Sequence, residues 1–202
     1  MNRSNAISIE SEVVDIEERN WLPRHVRGDT EAFEQLMTAY RGFVLTILWR
    51  YGVDHESRDD LFQEIFLKIH QAAASYRPSQ ALRPWLVTIT LNTLRNHRRN
   101  QYRKSRFLSS LFIKAKHDRT SGQNPGADQM LEQKSTVNWL ESRIKNLPER
   151  QREVLVLSTM KGLSMKDIAR VMALPVNTVK THLRRARLVL AEDLDRRDSV
   201  EN

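Results

Sequence analysis

Hydrophobic side chains recur at steps of three and four residues between positions 29 and 99, which is the spacing of helices that bury one face. The pattern predicts three helices, beginning near Asp29, Asp59 and Pro84. Asp29 or Thr30 can cap the first of them, and Pro78 ends the segment before the third. We therefore expect a helical N-terminal domain over residues 23–103.

A second helical pattern runs from Val137 to Leu194. It predicts helices over 139–146 and 148–160, with the proline at a first helical position, and then a pair of helices separated by the turn 173–175. Ser164 and Asp167 have the capping-box spacing that begins a helix. The last helix carries one apolar stripe, formed by Val176, Val179, Leu183, Ala186 and Leu190. These features predict a helix-turn-helix inside a C-terminal domain over residues 137–196.

The remaining segments lack this periodicity. Residues 1–22 and 197–202 are predicted to be polar tails, and residues 104–136 to be a linker, because Ser, Gly, Asn, Pro and Asp gather in its second half. Residues 107–113 are more apolar than an ordinary tether. The expected fold is therefore all-α: two small helical domains joined by a flexible linker.

Composition narrows the function. The chain has no cysteine, and its six histidines have no metal-ligand spacing, so no metal, no cofactor and no catalytic residue is expected. We find no apolar run long enough to cross a bilayer and no signal peptide, which predicts a cytoplasmic protein without membrane insertion.

The distribution of charge is more informative than the net charge of +8. Residues 65–117 and 168–191 contain no acidic residue but many arginines and lysines, whereas acids gather at 10–18 and 54–64. Such single-sign blocks indicate a polyanionic partner. A membrane surface is the competing interpretation, but the polar and aromatic residues within the blocks favour nucleic acid.

The outer face of the last helix has the chemistry of a DNA-reading helix. It carries Thr178, Lys180, Thr181, Arg184 and Arg185. Arginine can pair with guanine, and threonine can contact a phosphate or a thymine methyl group. An amphipathic surface helix with a basic side is the alternative. The cap, the short turn and the lack of acids favour DNA binding.

At this point the sequence strongly resembles the bacterial sigma factors, specifically their compact extracytoplasmic-function (ECF) subgroup. The segments 147–154, 162–164 and 174–180 resemble the fourth conserved region of that family. The segments 28–33, 60–66 and 84–86, together with Asn92, resemble its second region. The two blocks occur in the family's order and at its separation, over about residues 25–195.

The resemblance implies a subunit of RNA polymerase that is not itself an enzyme, acts in stress responses, and directs the polymerase to promoters and helps to melt them. Asp60, Gln63 and Glu64 would meet the clamp helices of the β′ subunit, and the C-terminal domain would meet the β flap. The −10 element would be bound by Tyr76, Ser79, Gln80, Asn92, Arg95, Asn96, Arg98 and Arg99, and we expect Tyr76 to be more open than Trp85. The −35 element would be read by the five residues of the last helix. An anti-sigma factor is also expected.

Several points stay open in the sequence. Residues 107–113 either lie in a channel of the polymerase or form a linker whose apolar side chains make non-specific contacts. Ala173 and Asn177 stand where the family usually has glycine, so the turn is expected to differ slightly in geometry. The main rival function is a stand-alone helix-turn-helix regulator that binds duplex DNA by itself. A nucleic-acid enzyme is remote, because the basic blocks contain no carboxylate cluster.

Overall fold

A computed structural model describes residues 17–113, 139–140 and 142–201, and within them every regular element is a helix. The N-terminal domain contains α1 (17–26), α2 (Thr30–Arg50), α3 (His55–Ala72), a 3₁₀ turn (Ala73–Ser75) and α4 (Leu82–Ile113). The C-terminal domain contains α5 (139–146, residue 141 not described), α6 (Glu149–Ser158), α7 (Met165–Met172) and α8 (Val176–Glu201). The all-α prediction is confirmed.

Aspartates begin two of the helices. The Asp29 carboxylate accepts the backbone N–H of Ala32 at 3.1 Å, and Asp54 accepts that of Ser57 at 2.8 Å. These backbone bonds, joined at Asp29 by the Arg24 guanidinium, hold the pKa of both carboxyls below the usual value. The cap at Asp54 also explains why α3 begins one turn earlier than the pattern predicts.

The predicted apolar faces form the core of the N-terminal domain. The side chains from α2, α3 and α4 that are 0–2% exposed include Leu36, Ile47, Leu61, Ile65, Leu86 and Leu94. Phe62 and Phe66 pack beside them with ring centroids 4.7 Å apart. This packing fixes the outward faces of α3 and α4.

The prediction of a polar tail through residue 22 is wrong for its last part. Residues 17–26 form α1, whose Leu22 is fully buried and whose Trp21 packs edge-to-face on Tyr40. The Tyr40 hydroxyl also donates to Glu18 at 2.5 Å. Two adjacent apolar residues anchor this helix, which is too few to produce a periodic signal. Residues 1–16 lie outside the described part of the chain.

Two other boundaries also move. The backbone of α4 stays helical to Ile113, ten residues into the predicted linker, and that of α8 continues to Glu201 through the predicted C-terminal tail. Residues 100–113 and 190–201 contain neither glycine nor proline, so nothing in their sequence stops the helix. The rest of the predicted linker, with the Ser/Gly/Asn/Pro-rich segment 118–129, lies outside the described residues.

The helix-turn-helix begins at a capping box, as predicted. The Ser164 hydroxyl oxygen accepts the Asp167 N–H at 3.1 Å, and the Asp167 carboxylate accepts the Ser164 N–H at 3.0 Å. The stripe of α8 is buried at Val179, Leu183 and Ala186. Pro148 differs slightly from the prediction, because it is the N-cap of α6 and not its first helical residue.

Candidate nucleic-acid interface

The outer face of α8 presents four exposed polar side chains side by side: Lys180, Thr181, Arg184 and Arg185. The burial of Val179, Leu183 and Ala186 determines this orientation, since a helix with one buried stripe turns its opposite side to solvent. Thr178 is the exception among the predicted residues, because it is partly buried. The face therefore presents two guanidiniums and an ammonium to solvent.

Thr181 is more constrained than its neighbours. Its hydroxyl donates to the Asn177 carbonyl at 2.9 Å, within the same helix. The hydroxyl proton is thus occupied, which leaves the methyl group and the oxygen lone pairs facing outward. A thymine methyl is a suitable partner for such a group.

The turn before α8 has an unusual backbone. Ala173 adopts φ 52° and ψ 45°, the left-handed conformation, and caps α7 by donating its N–H to the last carbonyls of that helix. A Cβ is unfavourable there, which is why glycine is the common residue at such positions. The turn is thus made with the geometry of a glycine turn but at a cost in strain. Asn177 lies exposed in the first turn of α8.

The predicted −10 residues of α4 divide into two groups. Asn92, Asn96 and Arg99 are exposed on one face, where the Arg99 guanidinium donates to the Asn96 side-chain oxygen at 2.9 Å. Arg98 points elsewhere, toward the Tyr51 ring, with its guanidinium carbon 5.7 Å from the ring centroid. Of the five residues predicted on α4, three thus lie on one exposed face, whereas Arg98 is turned toward Tyr51.

The loop before α4 is organised around Tyr76. This side chain is only 6% exposed, its hydroxyl donates to the Gln80 carbonyl at 2.8 Å, and its ring packs edge-on against Trp85. The expectation that Tyr76 is the more open aromatic is wrong, because its hydroxyl supports the loop from inside. Ser79 and Gln80 are exposed, so the loop presents polar groups on a buried aromatic support.

Arg95 reaches the other domain. Its guanidinium donates to both carboxylate oxygens of Glu153, at 2.7 and 2.9 Å, and the Tyr51 hydroxyl donates to the same carboxylate at 3.0 Å. The Glu153 side chain is fully buried. The bonds to Glu153 raise the pKa of Arg95, and burial together with the Glu153 charge raises that of Tyr51. A predicted DNA-binding arginine is thus part of the contact between the domains.

Further contacts accompany this ion pair. Arg50, at the end of α2, donates to the Thr159 carbonyl at 3.0 Å and also to its hydroxyl. Arg83 donates to the Lys161 carbonyl at 3.5 Å, and α4 packs against α7. The side chain of Lys145 lies so close to Gly52 that a Cβ there would clash with it. The two domains therefore form a closed arrangement in which α4 faces the C-terminal domain.

A third surface lies on α3. Asp60, Gln63 and Glu64 are exposed on the side of α3 opposite its buried residues, and Glu64 pairs with Lys68 at 2.5 Å. Leu67 is 56% exposed and occupies the next turn of the same face. Sequence reasoning missed Leu67, because a single exposed leucine on a polar face does not stand out in the hydrophobic pattern.

Other kinds of site find no support in the described residues. They contain no group of three or more histidine, aspartate or glutamate side chains placed to hold a metal ion. None of the described helices is both long enough and apolar enough to cross a membrane.

Comparison with known proteins agrees with this division into two domains. Residues 36–104 match the family model for sigma-70 region 2, and residues 138–190 match that for sigma-70 region 4. The RNA polymerase sigma-H factor of Pseudomonas aeruginosa is 31% identical over 85% of this chain and 90% of its own length. The ECF RNA polymerase sigma-E factor of Escherichia coli K12 is 31% identical over 82% of this chain and 88% of its own.

Two solved structures have the same fold. The chain of CnrH, in complex with the cytosolic domain of CnrY, aligns with a TM-score of 0.66 and 23% identity over 89% of this chain and 97% of its own. The sigma factor RpoE of Bartonella quintana, in complex with the anti-sigma factor NepR, aligns with a TM-score of 0.63 and 21% identity. This alignment covers 82% of this chain and 98% of RpoE.

The described residues form two helical domains, and the chain matches sigma-70 regions 2 and 4. These features define a transcription initiation factor. The protein belongs to the sigma-70 family of RNA polymerase sigma factors, in its ECF group, and directs RNA polymerase to promoters.

Proposed function

We propose that the two exposed polar faces read two separate promoter elements, α8 the −35 element and α4 with its preceding loop the −10 element. The observation that carries this proposal is the placement of the faces on different domains joined by an undescribed segment of 25 residues, 114–138. A chain of that length can span tens of ångströms when extended. One molecule can therefore engage two elements once the domains separate.

The face of α8 suits duplex recognition. Arg184 and Arg185 can each form the paired hydrogen bonds that distinguish guanine in the major groove. Lys180, one turn earlier, supplies a phosphate contact, and the outward Thr181 methyl suits thymine. Partly buried Thr178 supports the helix more than it reads bases.

The face of α4 suits unpaired bases. Asn92 and Asn96 offer amide groups that hydrogen-bond base edges, while exposed Arg99 neutralises phosphate. Ser79 and Gln80 form a polar loop beside them, with Tyr76 as its internal support. Holding extruded bases of the −10 element in this way favours the melted promoter over the duplex.

Binding to core polymerase is assigned to α3. Its exposed face combines acids with the apolar side chain of Leu67, a composition common in protein interfaces. We infer that Asp60, Gln63, Glu64 and Leu67 meet the clamp helices of β′ and that the C-terminal domain meets the β flap. RNA synthesis itself remains the work of the polymerase, so this protein is not an enzyme.

The closed arrangement has a consequence for activity. Because Arg95 is bound to Glu153, and Arg98 lies in the same boundary, part of the proposed −10 surface is covered while the domains are packed together. Core polymerase must therefore separate them. An anti-sigma factor is the expected inhibitor, by analogy with RpoE, which was solved in complex with the anti-sigma factor NepR.

A stand-alone regulator is the less favoured function, since it would not need the α3 face. The experiment that separates the two places a photocrosslinking residue at Lys180 or at Asn96 in complexes of core polymerase, this protein and a promoter. The proposal predicts crosslinks near −35 from position 180 and near −10 from position 96. Crosslinks from both positions to one element, or crosslinks that do not need core polymerase, would overturn it.

A further inference from the structure

The boundary between the domains contains an arginine-lined groove of about 510 Å³ between α4 and α6. Its cationic and aromatic lining consists of Arg95, Arg98, Arg99, Arg150, Arg152 and Tyr102. Two carboxylates oppose these five guanidiniums: Glu149, which lines the groove, and Glu153, whose oxygens already accept from Arg95, Arg150 and Tyr51. The groove therefore keeps an excess of positive charge.

Arg152 is the most unusual member of this group. It is 1% exposed, yet no described carboxylate lies within ion-pair distance of it. One terminal nitrogen donates to the Lys145 carbonyl at 2.7 Å, and the guanidinium stacks on Tyr51, but Nε is buried without a hydrogen-bond partner. A buried guanidinium normally has an anionic partner, because desolvation of its charge is costly.

Arg98 repeats this feature on the facing helix. It lies against the other side of the same interface through Tyr51, and one of its terminal nitrogens is also buried without a partner. A second cavity of about 190 Å³ shares Arg98 and Arg152 with the groove and adds His97, Lys145 and one carboxylate, that of Asp54. Two adjoining spaces are thus bordered by the same two guanidiniums with unused donors.

We propose that this groove binds a nucleoside polyphosphate. Phosphate oxygens are the acceptors that guanidinium groups bind best, often through paired hydrogen bonds. The volume suits a small ligand, and the 64% exposed Tyr102 at the rim offers a ring on which a base can stack. The unused donors of Arg98 and Arg152 are buried, so these guanidiniums would have to turn toward the groove to meet phosphate.

The ligand would also act on the arrangement of the domains. The groove has one wall on α4 and the other on α6, so it exists only while the domains are closed. A ligand that binds one arrangement shifts the population toward it. Binding of the nucleotide would therefore hold the protein in the form in which Arg95 is covered, without requiring the promoter contacts proposed above.

The test is calorimetry of the full-length protein with GTP, ATP and inorganic tripolyphosphate at physiological salt. We expect nucleotide binding that weakens at least tenfold in R98Q and in R150Q but is unchanged in R27Q, a matched loss of charge at an exposed arginine outside the groove. R98K keeps the charge and should lose less affinity than R98Q. Circular dichroism verifies that each variant is folded.

Closure is measured on the same protein. Because the chain has no cysteine, T38C and S142C can carry a dye pair, one on each domain, and nucleotide should increase the closed population. Absence of nucleotide binding at millimolar concentration, equal affinity in all variants, or arginine-dependent binding of a single-stranded oligonucleotide alone would overturn the proposal. None of these results would remove the promoter crosslinks predicted for positions 180 and 96, so the two hypotheses fail separately.

Discussion

Ala173 shows how a single residue departs from its family without changing the fold. Its left-handed backbone, φ 52° and ψ 45°, is unfavourable for any residue with a Cβ. We expect A173G to raise the free energy of unfolding by about 0.5–1 kcal/mol, because the relief of strain exceeds the added flexibility of glycine. The matched control is A191G, in the exposed middle of α8, which should lower it by about 1 kcal/mol. Urea denaturation measures the free energy of unfolding of both variants. Destabilisation by A173G would contradict the conclusion that the backbone at Ala173 is strained.

The sequence predicted the capping residues but not the burial of Tyr76 or the exposure of Leu67. The pattern predicted Asp29 or Thr30 as one cap and Ser164 as another, and the structure has Asp29 and Ser164, because capping depends on local spacing. It failed for Tyr76, whose burial depends on Trp85 and on the Gln80 carbonyl. Leu67 was missed because one exposed leucine on an otherwise polar face carries no periodic signal.

At the scale of the element, α8 makes the most specific prediction. R184A or R185A should change the preferred base at one −35 position, with a loss of about 1–3 kcal/mol for the original base if a paired guanine contact is removed. R196A, exposed later on the same helix, should leave the preference unchanged. Binding of the holoenzyme to promoters randomised at −35 provides the measurement. A uniform loss of affinity over all −35 sequences would instead show that these arginines bind phosphate groups.

The exposed face of α3 makes a second prediction. L67A and D60N should weaken binding to core polymerase at least several-fold, since both side chains are exposed on the proposed interface. E34Q, which removes an exposed acid from α2, serves as the control and should bind normally. Titration of core polymerase with fluorescently labelled protein tests this. Unchanged affinity of L67A and D60N would exclude this face.

The elements themselves were largely predictable, because their buried stripes are regular. The apolar stripe of α3 is buried at Leu61, Phe62, Ile65, Phe66 and Ile69, and that of α8 at Val179, Leu183 and Ala186. The ends of three helices were not predictable from the sequence. Helix α1 is held by only two apolar residues, and α4 and α8 continue because no glycine or proline stops them. Helix boundaries without capping residues are weakly encoded.

For the whole molecule, the packing of one domain on the other was not predictable. It includes the pairing of Arg95 with Glu153, 58 residues apart in sequence, and no local pattern encodes such a contact. E153Q should open the arrangement, because it leaves Arg95 without its carboxylate partner. The dye pair at positions 38 and 142 should report a lower closed population than in E34Q, which removes an exposed carboxylate from α2 and serves as the matched control. Equal closure in both variants would show that the ion pair is dispensable.

Tyr51 makes closure sensitive to alkaline pH. Burial, reinforced by Glu153, raises the pKa of Tyr51 in the closed form, whereas separation from Glu153 brings it nearer its ordinary value of about 10. Its contribution to closure is therefore complete below about pH 10 and is lost as the pH rises further. The closed population should fall above that pH, and Y51F should lack this step. An identical alkaline transition in Y51F would assign it to other groups.

The central claim is that one chain recognises two promoter elements for RNA polymerase, and run-off transcription tests it most directly. Purified core polymerase is incubated with a promoter library varied independently at −10 and −35, with and without this protein. We predict transcripts that require the protein, with a −35 preference altered by R184A or R185A and a −10 preference altered by N96A. Transcription no greater than that of core polymerase alone, or preferences unaffected by all three variants, would contradict the account.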